Sequence, residues 1–341
     1  MIKISKKLAR RTVLVATFAF SGCVVLWESP DDTIKRRASL FEEMYEESVA
    51  NMADPLKETD TPVYFQIPKS GSSPIEAYYG CMGLTLATRT GIDDGHDQDE
   101  TLQVWERSSK GKFVNGKFVN VDTMHMEGIF RAKELGLAES GLADVVFSPS
   151  PPVASILFDL EHQARFFALF QHPIERAIST FYYHQIARWE ENEKLLQPEL
   201  VDVTIEEWLK KFNWRDPEVG NFYMRLLLNK HSFTDEDLEK AKNITRTKFL
   251  VGLESKMEES VERFDKYFGW YGNEKRPECQ QYAMQKAIGR NPLNNVKKGS
   301  KVWNLLAELN YYDLQLYKFI VQLYEEQREF LGPSRTGEAA L

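Results

Sequence analysis

Two short stretches of the chain put anion-holding residues where a strand hands over to a helix. In the first, Pro68-Lys69-Ser70-Gly71-Ser72-Ser73 follows the apolar run Val63-Tyr64-Phe65-Gln66-Ile67. Pro68 cannot donate to a ladder and closes the strand. Ser73-Pro74-Ile75-Glu76 then reads as a helix start, with Ser73 as N-cap, Pro74 at the first helical position and Glu76 completing a capping box. The first N–H groups of a helix have no partner inside it, and the helix dipole adds partial positive charge there. Gly71 and the hydroxyls of Ser70, Ser72 and Ser73 shape a cradle around those donors, and Lys69 adds a full charge. Each charge-assisted hydrogen bond contributes about 1.5–3 kcal/mol, so several together hold a phosphate. The order is not that of a Walker A loop, in which the lysine follows the glycines. An ordinary strand-helix turn with a solvated lysine has the same composition.

The second stretch, Gln171-His172-Pro173-Ile174-Glu175-Arg176-Ala177-Ile178-Ser179, again follows an expected buried strand, Arg165 to Phe170, and opens a helix. Arg176 and Ser179 are three apart and share one helical face. That face offers a guanidinium and a hydroxyl to a second phosphate. A surface salt bridge is the plain alternative.

The surrounding pattern says what positions these residues. Short apolar strands are expected at 63–67, 118–121, 144–147, 165–170 and 248–251. Helices are expected from Ser73 to about Thr88, at 127–135, from Pro173 to about Trp189, and around 204–212, 218–229, 234–242, 255–268 and 301–331. The polar stretch 89–111 reads as a loop and 148–152 as a turn. Strands separated by helices imply an α/β sandwich with a mostly parallel sheet, whose ligands sit at the carboxyl ends of the strands.

The 341 residues carry a net charge of −8 and are 43% hydrophobic. That composition allows a sizeable core and speaks against a nucleic-acid surface, which is usually basic. The N-terminus stands apart. Lys3, Lys6, Lys7, Arg10 and Arg11 form a basic tail (1–11) ahead of an uncharged run, Thr12 to Trp27. The run is shorter than the roughly 20 residues of a typical span, and no clean cleavage site follows it. It reads as an uncleaved signal anchor (12–27), with the remainder translocated. A cleaved secretory signal and a lipoprotein signal ending at Cys23 are the other readings. Residues 28–60 read as an acidic stem, with Phe41, Tyr45, Val49 and Met52 on one face of a short helix. The domain is placed at 61–332 and a tail at 333–341. Of three cysteines, Cys81 and Cys279 are the pair that a translocated domain could join. Asn243-Ile244-Thr245 is a glycosylation sequon.

Taken together, the two phosphate-type motifs resemble the 5′- and 3′-phosphate-binding elements of PAPS-dependent sulfotransferases, most closely the membrane-anchored carbohydrate sulfotransferases. The likeness extends over most of 62–330. It includes Gly220-Asn221-Phe222-Tyr223-Met224-Arg225-Leu226, Lys248-Phe249-Leu250-Val251-Gly252-Leu253-Glu254 and Glu308-Leu309-Asn310-Tyr311-Tyr312-Asp313-Leu314-Gln315-Leu316-Tyr317. The resemblance implies a P-loop-like three-layer sandwich and transfer of a sulfuryl group from PAPS to a glycan hydroxyl or amine, without a metal. It implies a single-pass protein with its catalytic domain in the Golgi lumen, or a secreted one if the N-terminal run is cleaved. Lys69 would contact the 5′-phosphosulfate, Ser70, Gly71, Ser72 and Ser73 would cradle it, and Ser179 would bind the 3′-phosphate. The family usually has Arg where this chain has Gln171, which brings no charge. Arg176 is a candidate to compensate. Lys297-Lys298-Gly299 resembles a late basic loop that approaches the same phosphate, and Lys298 is included on that ground.

In-line transfer moves negative charge onto the leaving phosphate oxygen, which Lys69 would stabilise in the transition state. The acceptor must also lose a proton. His125 and Glu127 are the candidates, with Asp122 beside them; His162, His172 and His184 read as surface, capping or packing residues. Trp189 and Trp214 are of a type that stacks on sugars or packs in a core. The rival functions are a non-catalytic glycan-binding relative and another phosphate-handling enzyme such as a kinase.

Overall fold

The computed structural model describes residues 45–107, 116–186, 202–212, 219–288 and 296–328. The basic tail, the expected anchor, most of the stem, Trp189, Trp214 and the C-terminal tail lie outside them. Among the described residues no helix is long and apolar enough to cross a membrane.

Seven strands form one sheet: β1 (Thr61–Phe65), β2 (Thr85–Ala87), β3 (Val104–Arg107), β4 (Gly116–Val119), β5 (Val145–Ser148), β6 (Ala164–Phe170) and β7 (Phe249–Leu253). Their order is β3-β4-β2-β5-β1-β6-β7. All neighbours pair in parallel except the edge pair β3 and β4. Parallel neighbours require crossovers, which here carry helices. The principal helices are α1 (Ser72–Cys81), α2 (Met126–Glu134), α3 (Pro173–Ile186), α4 (Ile205–Phe212), α5 (Phe222–Leu228), α6 (Asp235–Lys248), α7 (Met257–Tyr267), α8 (Arg276–Ile288), α9 (Lys301–Leu309) and α10 (Tyr311–Glu326).

Both sheet faces are covered, which is why β6 and β7 are buried throughout instead of alternating, and apolar apart from Arg165. Val63, Phe65, Phe166 and Phe249 pack on one face against α2, α6 and α10, through Ile129, Leu238 and Ile320. Tyr64, Phe147, Phe167 and Leu250 pack on the other against α1, α7 and α8, through Tyr79, Phe264 and Ala283. A third cluster joins α3, α4 and α9 through Phe181, Trp208 and Leu306.

The five expected strands are present, and two more appear. The helix expected to run to about Thr88 stops at Cys81. Gly83 takes a positive φ of 83°, a turn that frees Thr85–Ala87 to enter the sheet as β2. β3 lies within the stretch expected to be a loop. Its burial alternates without a fully buried residue, so an edge strand left little apolar signal. The helix expected over 301–331 is broken at Asn310 into α9 and α10. α8 carries a sequence that no expectation covered.

The compact unit begins earlier than residue 61. Tyr45, Val49 and Met52 are all but fully buried, and Val49 bridges to Ala164. Arg165, itself buried, donates to the carbonyls of Asn51, Asp54 and Pro55 and pairs with Asp60 at 2.7 Å. The helical spacing of these apolar residues therefore reflects packing against the domain. The Asn243 side chain of the sequon is exposed on α6, but the Thr245 hydroxyl is buried and donates to the Ala241 carbonyl.

Candidate functional site

The turn after β1 is built on two left-handed residues, Lys69 at φ 68° and Gly71 at φ 81°. Lys69 tolerates that conformation at a cost; Gly71 takes it freely. A Cβ on Gly71 would also sit 2.3 Å from the Met257 Cε. Gly71, not Ser73, is the N-cap, and no side chain caps the helix. The left-handed glycine starts the helix early, which makes Glu76 the fifth helical residue, too far along to bond back to the cap. The expected capping box is therefore absent. Ser70 is buried, and its hydroxyl makes no hydrogen bond of ordinary geometry. Its nearness to the Tyr223 hydroxyl still favours that phenol's ionised form slightly, although burial drives the Tyr223 pKa far up. Lys69 is partly exposed and Ser73 exposed.

The second motif lies directly beside the first, because β1 and β6 are neighbours in the sheet. The Lys69 Nζ sits 3.7 Å from the centroid of the Tyr183 ring, a cation–π contact. Tyr183 is four residues past Ser179 on α3, so Ser179 and Lys69 share one locality. Ser179 is partly exposed there. Tyr223 ties the strand end: its hydroxyl donates to the Gln171 carbonyl at 2.6 Å and accepts from the Gln171 N–H at 3.2 Å. Gln171 is buried, and its Oε1 makes no hydrogen bond. Arg176 faces inward, 1% exposed, with its guanidinium stacked 3.9 Å from the Phe222 centroid. Its charge lowers the pKa of Asp313 against the larger effect of burial.

Three of the resembling stretches explain how these residues are held. Asn221, at φ 47°, accepts from the N–H groups of Tyr312 and Asp313 at the start of α10. Asp313 returns the arrangement by accepting from the N–H groups of Tyr223 and Met224 at the start of α5, at 2.9 and 3.0 Å. Two helices thus cap each other, and the latch sets Phe222 and Tyr223 against Arg176 and Gln171. Burial pushes the Asp313 carboxyl up to about 6. Beyond β7, Glu254 and Glu175 lie near one another, and burial raises both carboxyls. The Glu254 Cγ lies 3.9 Å from where a Gly71 Cβ would be, so acidic groups border the cradle.

His172 packs between Trp303 and Tyr317. Desolvation lowers its pKa, and Lys298 lowers it further; Lys298 is exposed but close to this strand end. His184 is buried against Tyr183. His162 bonds weakly to Asp159 at 3.3 Å and lies at the opposite edge of the sheet. There it lines a cavity of about 330 Å3 with Asp60, Asp144 and Trp270, which none of the motif residues reach.

His125 follows β4 and bonds through Nδ1 to the Asp122 Oδ2 at 2.7 Å. Asp122 also accepts from the Met124 N–H, and Gly128 lets α2 approach its carbonyl, since a Cβ would meet that oxygen at 2.2 Å. The pair fixes the ring and leaves Nε2 for another partner. Glu127 is exposed in the first turn of α2, where a carboxylate favours the helix dipole. β4 and β1 are three strand spacings apart, about 14 Å. His125 and Lys69 therefore share the carboxyl edge of the sheet without touching.

Tyr223 and Asp313 were legible only as parts of resembling stretches; nothing local marks a tyrosine that clasps a strand 52 residues away. Among the described residues, no three His, Cys, Asp or Glu side chains converge as metal ligands would. The chain matches no model of a known protein family, and no curated protein matches it in sequence.

Proposed function

We propose that the chain is a sulfotransferase that moves a sulfuryl group from PAPS to a hydroxyl or amine of a glycan. The observation that carries this reading is the meeting of the two strand-turn-helix motifs: Lys69 lies over Tyr183 of the second motif's helix. Tyr223 supports the same neighbourhood by clasping Gln171 beside Ser70. A nucleotide bearing two phosphates needs two such elements side by side. The donor fits the residues present, because the Ser70 hydroxyl is a buried group without a hydrogen bond at the base of the turn and Lys69 is the adjacent charge. In this reading the arrangement is P-loop-like, with Lys69 stabilising the leaving 5′-phosphate and Ser179, aided by Lys298, at the 3′-phosphate.

The disulfide between Cys81 and Cys279 suits an oxidising compartment. It accords with a domain translocated into the secretory pathway, by a single-pass anchor at 12–27 into the Golgi lumen or by secretion after cleavage. A second reading, a non-catalytic PAPS- or glycan-binding relative, rests on Gln171, buried and uncharged where the resembling family carries Arg.

Calorimetric titration with PAP and PAPS tests the reading. Saturable binding is expected, and Lys69→Ala should weaken it by the equivalent of one charge-assisted bond, about 1.5–3 kcal/mol or roughly 10- to 150-fold. A folded protein that binds neither nucleotide would refute the donor assignment. Binding without transfer to a glycan panel would favour the non-catalytic relative.

A further inference from the structure

Asn243-Ile244-Thr245 is the one Asn-X-Ser/Thr sequence in the chain, and it lies in the body of α6 instead of a loop. The helix has strong local reasons to form. Thr234 and Asp237 make a capping box, Asp235, Glu236 and Asp237 suit the N-terminal end of its dipole, and Arg246 and Lys248 suit the C-terminal end. One stripe, including Leu238, Ala241 and Thr245, is buried. Residues two apart on a helix stand about 160° from one another. Asn243 is two residues from both Ala241 and Thr245, so it points away from the buried stripe, and it is exposed. Its charged neighbours are engaged elsewhere, Lys242 with Glu239 at 2.7 Å and Arg246 with Glu326 at 2.6 Å.

The Thr245 hydroxyl, by contrast, is buried and donates to the Ala241 carbonyl at 2.8 Å. Transfer of an oligosaccharide to asparagine recognises the amide and the hydroxyl two residues on together. Folded α6 sets these two groups on opposite sides of the helix, one in water and one in the core. An enzyme can therefore hold both only while the segment is extended, as it is during translocation.

On the footing of the translocated domain read above, we propose that Asn243 is a modification site: it receives an N-linked oligosaccharide before α6 folds, and folding then closes the site to further transfer. The co-reactant is an oligosaccharide carried on a lipid diphosphate. The Asn243 amide nitrogen attacks the anomeric carbon of the first sugar, and a C–N bond forms as the bond from that carbon to the phosphate oxygen breaks. The electrons of the broken bond leave with the lipid diphosphate, and the amide proton passes to a base of the transferring enzyme. The Cys81–Cys279 disulfide suits the same oxidising lumen. The fold has room for the product. α6 runs directly into β7 at the amino edge of the sheet, and Asn243 is about 8 Å along the helix from Lys248. Its side chain leaves the outer side of α6, whereas the Lys69 turn follows β1 at the carboxyl edge.

The test expresses the full chain in eukaryotic cells and measures its mass before and after treatment with peptide-N-glycosidase, which leaves aspartate where the sugar was attached. One glycan is expected, with the aspartate at position 243. Asn243→Gln and Thr245→Val should each remove it, and Thr245→Ser should keep it. Asn243→Gln touches only solvent and Thr245→Val keeps the buried volume, so both are read on folded protein, and Asn243→Gln should leave PAP affinity unchanged. Protection from added protease in sealed vesicles reports translocation separately. A protected domain without sugar at Asn243 overturns the proposal and leaves translocation standing. A domain open to the protease overturns the translocation reading and the modification with it. The order of events is tested on full chain made in bacteria with its disulfide formed, offered to solubilised oligosaccharyl transferase and its lipid donor. The reduced, unfolded chain should accept the sugar and the native protein should not. Equal modification of both would overturn the closing of the site by α6.

Discussion

Glu76 shows how far a residue can be read from its neighbours in sequence. Ser73-Pro74-Ile75-Glu76 has the spacing of a capping box, but that reading depends on Ser73 being the cap. The left-handed Gly71 moves the cap two residues earlier, and the carboxylate is left away from the cap, close enough to Thr88 and Thr90 for their hydroxyls to favour its charged form. Its stability effect has a defined sign. The folded pKa, about 7, lies above the ordinary 4.5, so the folded state binds the proton more tightly than the unfolded chain. The penalty for the charged form is absent below the unfolded value and grows as pH rises through the folded one. Glu76→Gln should therefore leave stability unchanged near pH 4 and increase it at pH 8, by up to about 3 kcal/mol. Urea unfolding at the two pH values measures this, and equal stability shifts at both would mean the carboxyl is not desolvated. The strand-turn-helix junction, by contrast, was legible: Lys69, Ser70 and Gly71 stand between β1 and α1, where the sequence pattern placed them. Arg176 was not, because helical spacing gives the shared face with Ser179 but not that Phe222 covers it.

Among elements, long apolar strands and helices with a clear period were readable, and short or exposed ones were not. β6 has seven buried residues and could be nothing else; β2 is only three residues long, two of them buried, and was hidden in the tail of a helical pattern. The break at Asn310 was hidden too, since α9 and α10 are both good helical sequences. Its cause is long-range: Asn310 accepts from the Asn221 N–H, and Asn221 caps α10 in turn. This reciprocal latch gives a test. Asp313→Ala would strand the Tyr223 and Met224 N–H groups in a buried site, at roughly 1–3 kcal/mol each. Chemical denaturation should show a loss of about 2–6 kcal/mol. PAP affinity should also fall, because Tyr223 would no longer be held against Gln171. Loss of stability with unchanged PAP affinity would uncouple the latch from the proposed phosphate site. Tyr223→Phe separates the two effects. It keeps the ring edge-on to Phe170 and removes only the hydroxyl, so it should cost about 1–3 kcal/mol.

At the scale of the whole molecule, the helix that begins at the cradle is tied to the far end of the chain. Cys81 closes α1 and Cys279 lies in α8, 198 residues later, with Cα atoms 5.6 Å apart. The sequence could name the two cysteines but not their pairing, since only the packing of α1 against α8 on one sheet face brings them together. Asp265 strengthens the same corner, accepting from the Tyr78 hydroxyl at 2.5 Å and from Arg276 at 2.9 Å. Tyr78 is in α1 and Arg276 opens α8, so a buried polar bridge runs beside the covalent one. Closing a loop of this length stabilises by about 5 kcal/mol in the chain-entropy account, with typical losses on removal of about 2–5 kcal/mol. Cys279→Ser should therefore lower Tm by roughly 5–10 °C, and wild-type protein treated with reductant should approach the same value. Thiol counting in denaturant without reductant should find one of the three cysteines free, not three. Because α1 carries the proposed phosphate turn at its other end, PAP affinity should weaken in the variant near its Tm but remain close to wild type at low temperature, where the Asp265 bridge still holds the helices. A full complement of free thiols, or a Tm unchanged by the substitution, would mean that the Asp265 bridge and the apolar packing alone hold the two helices.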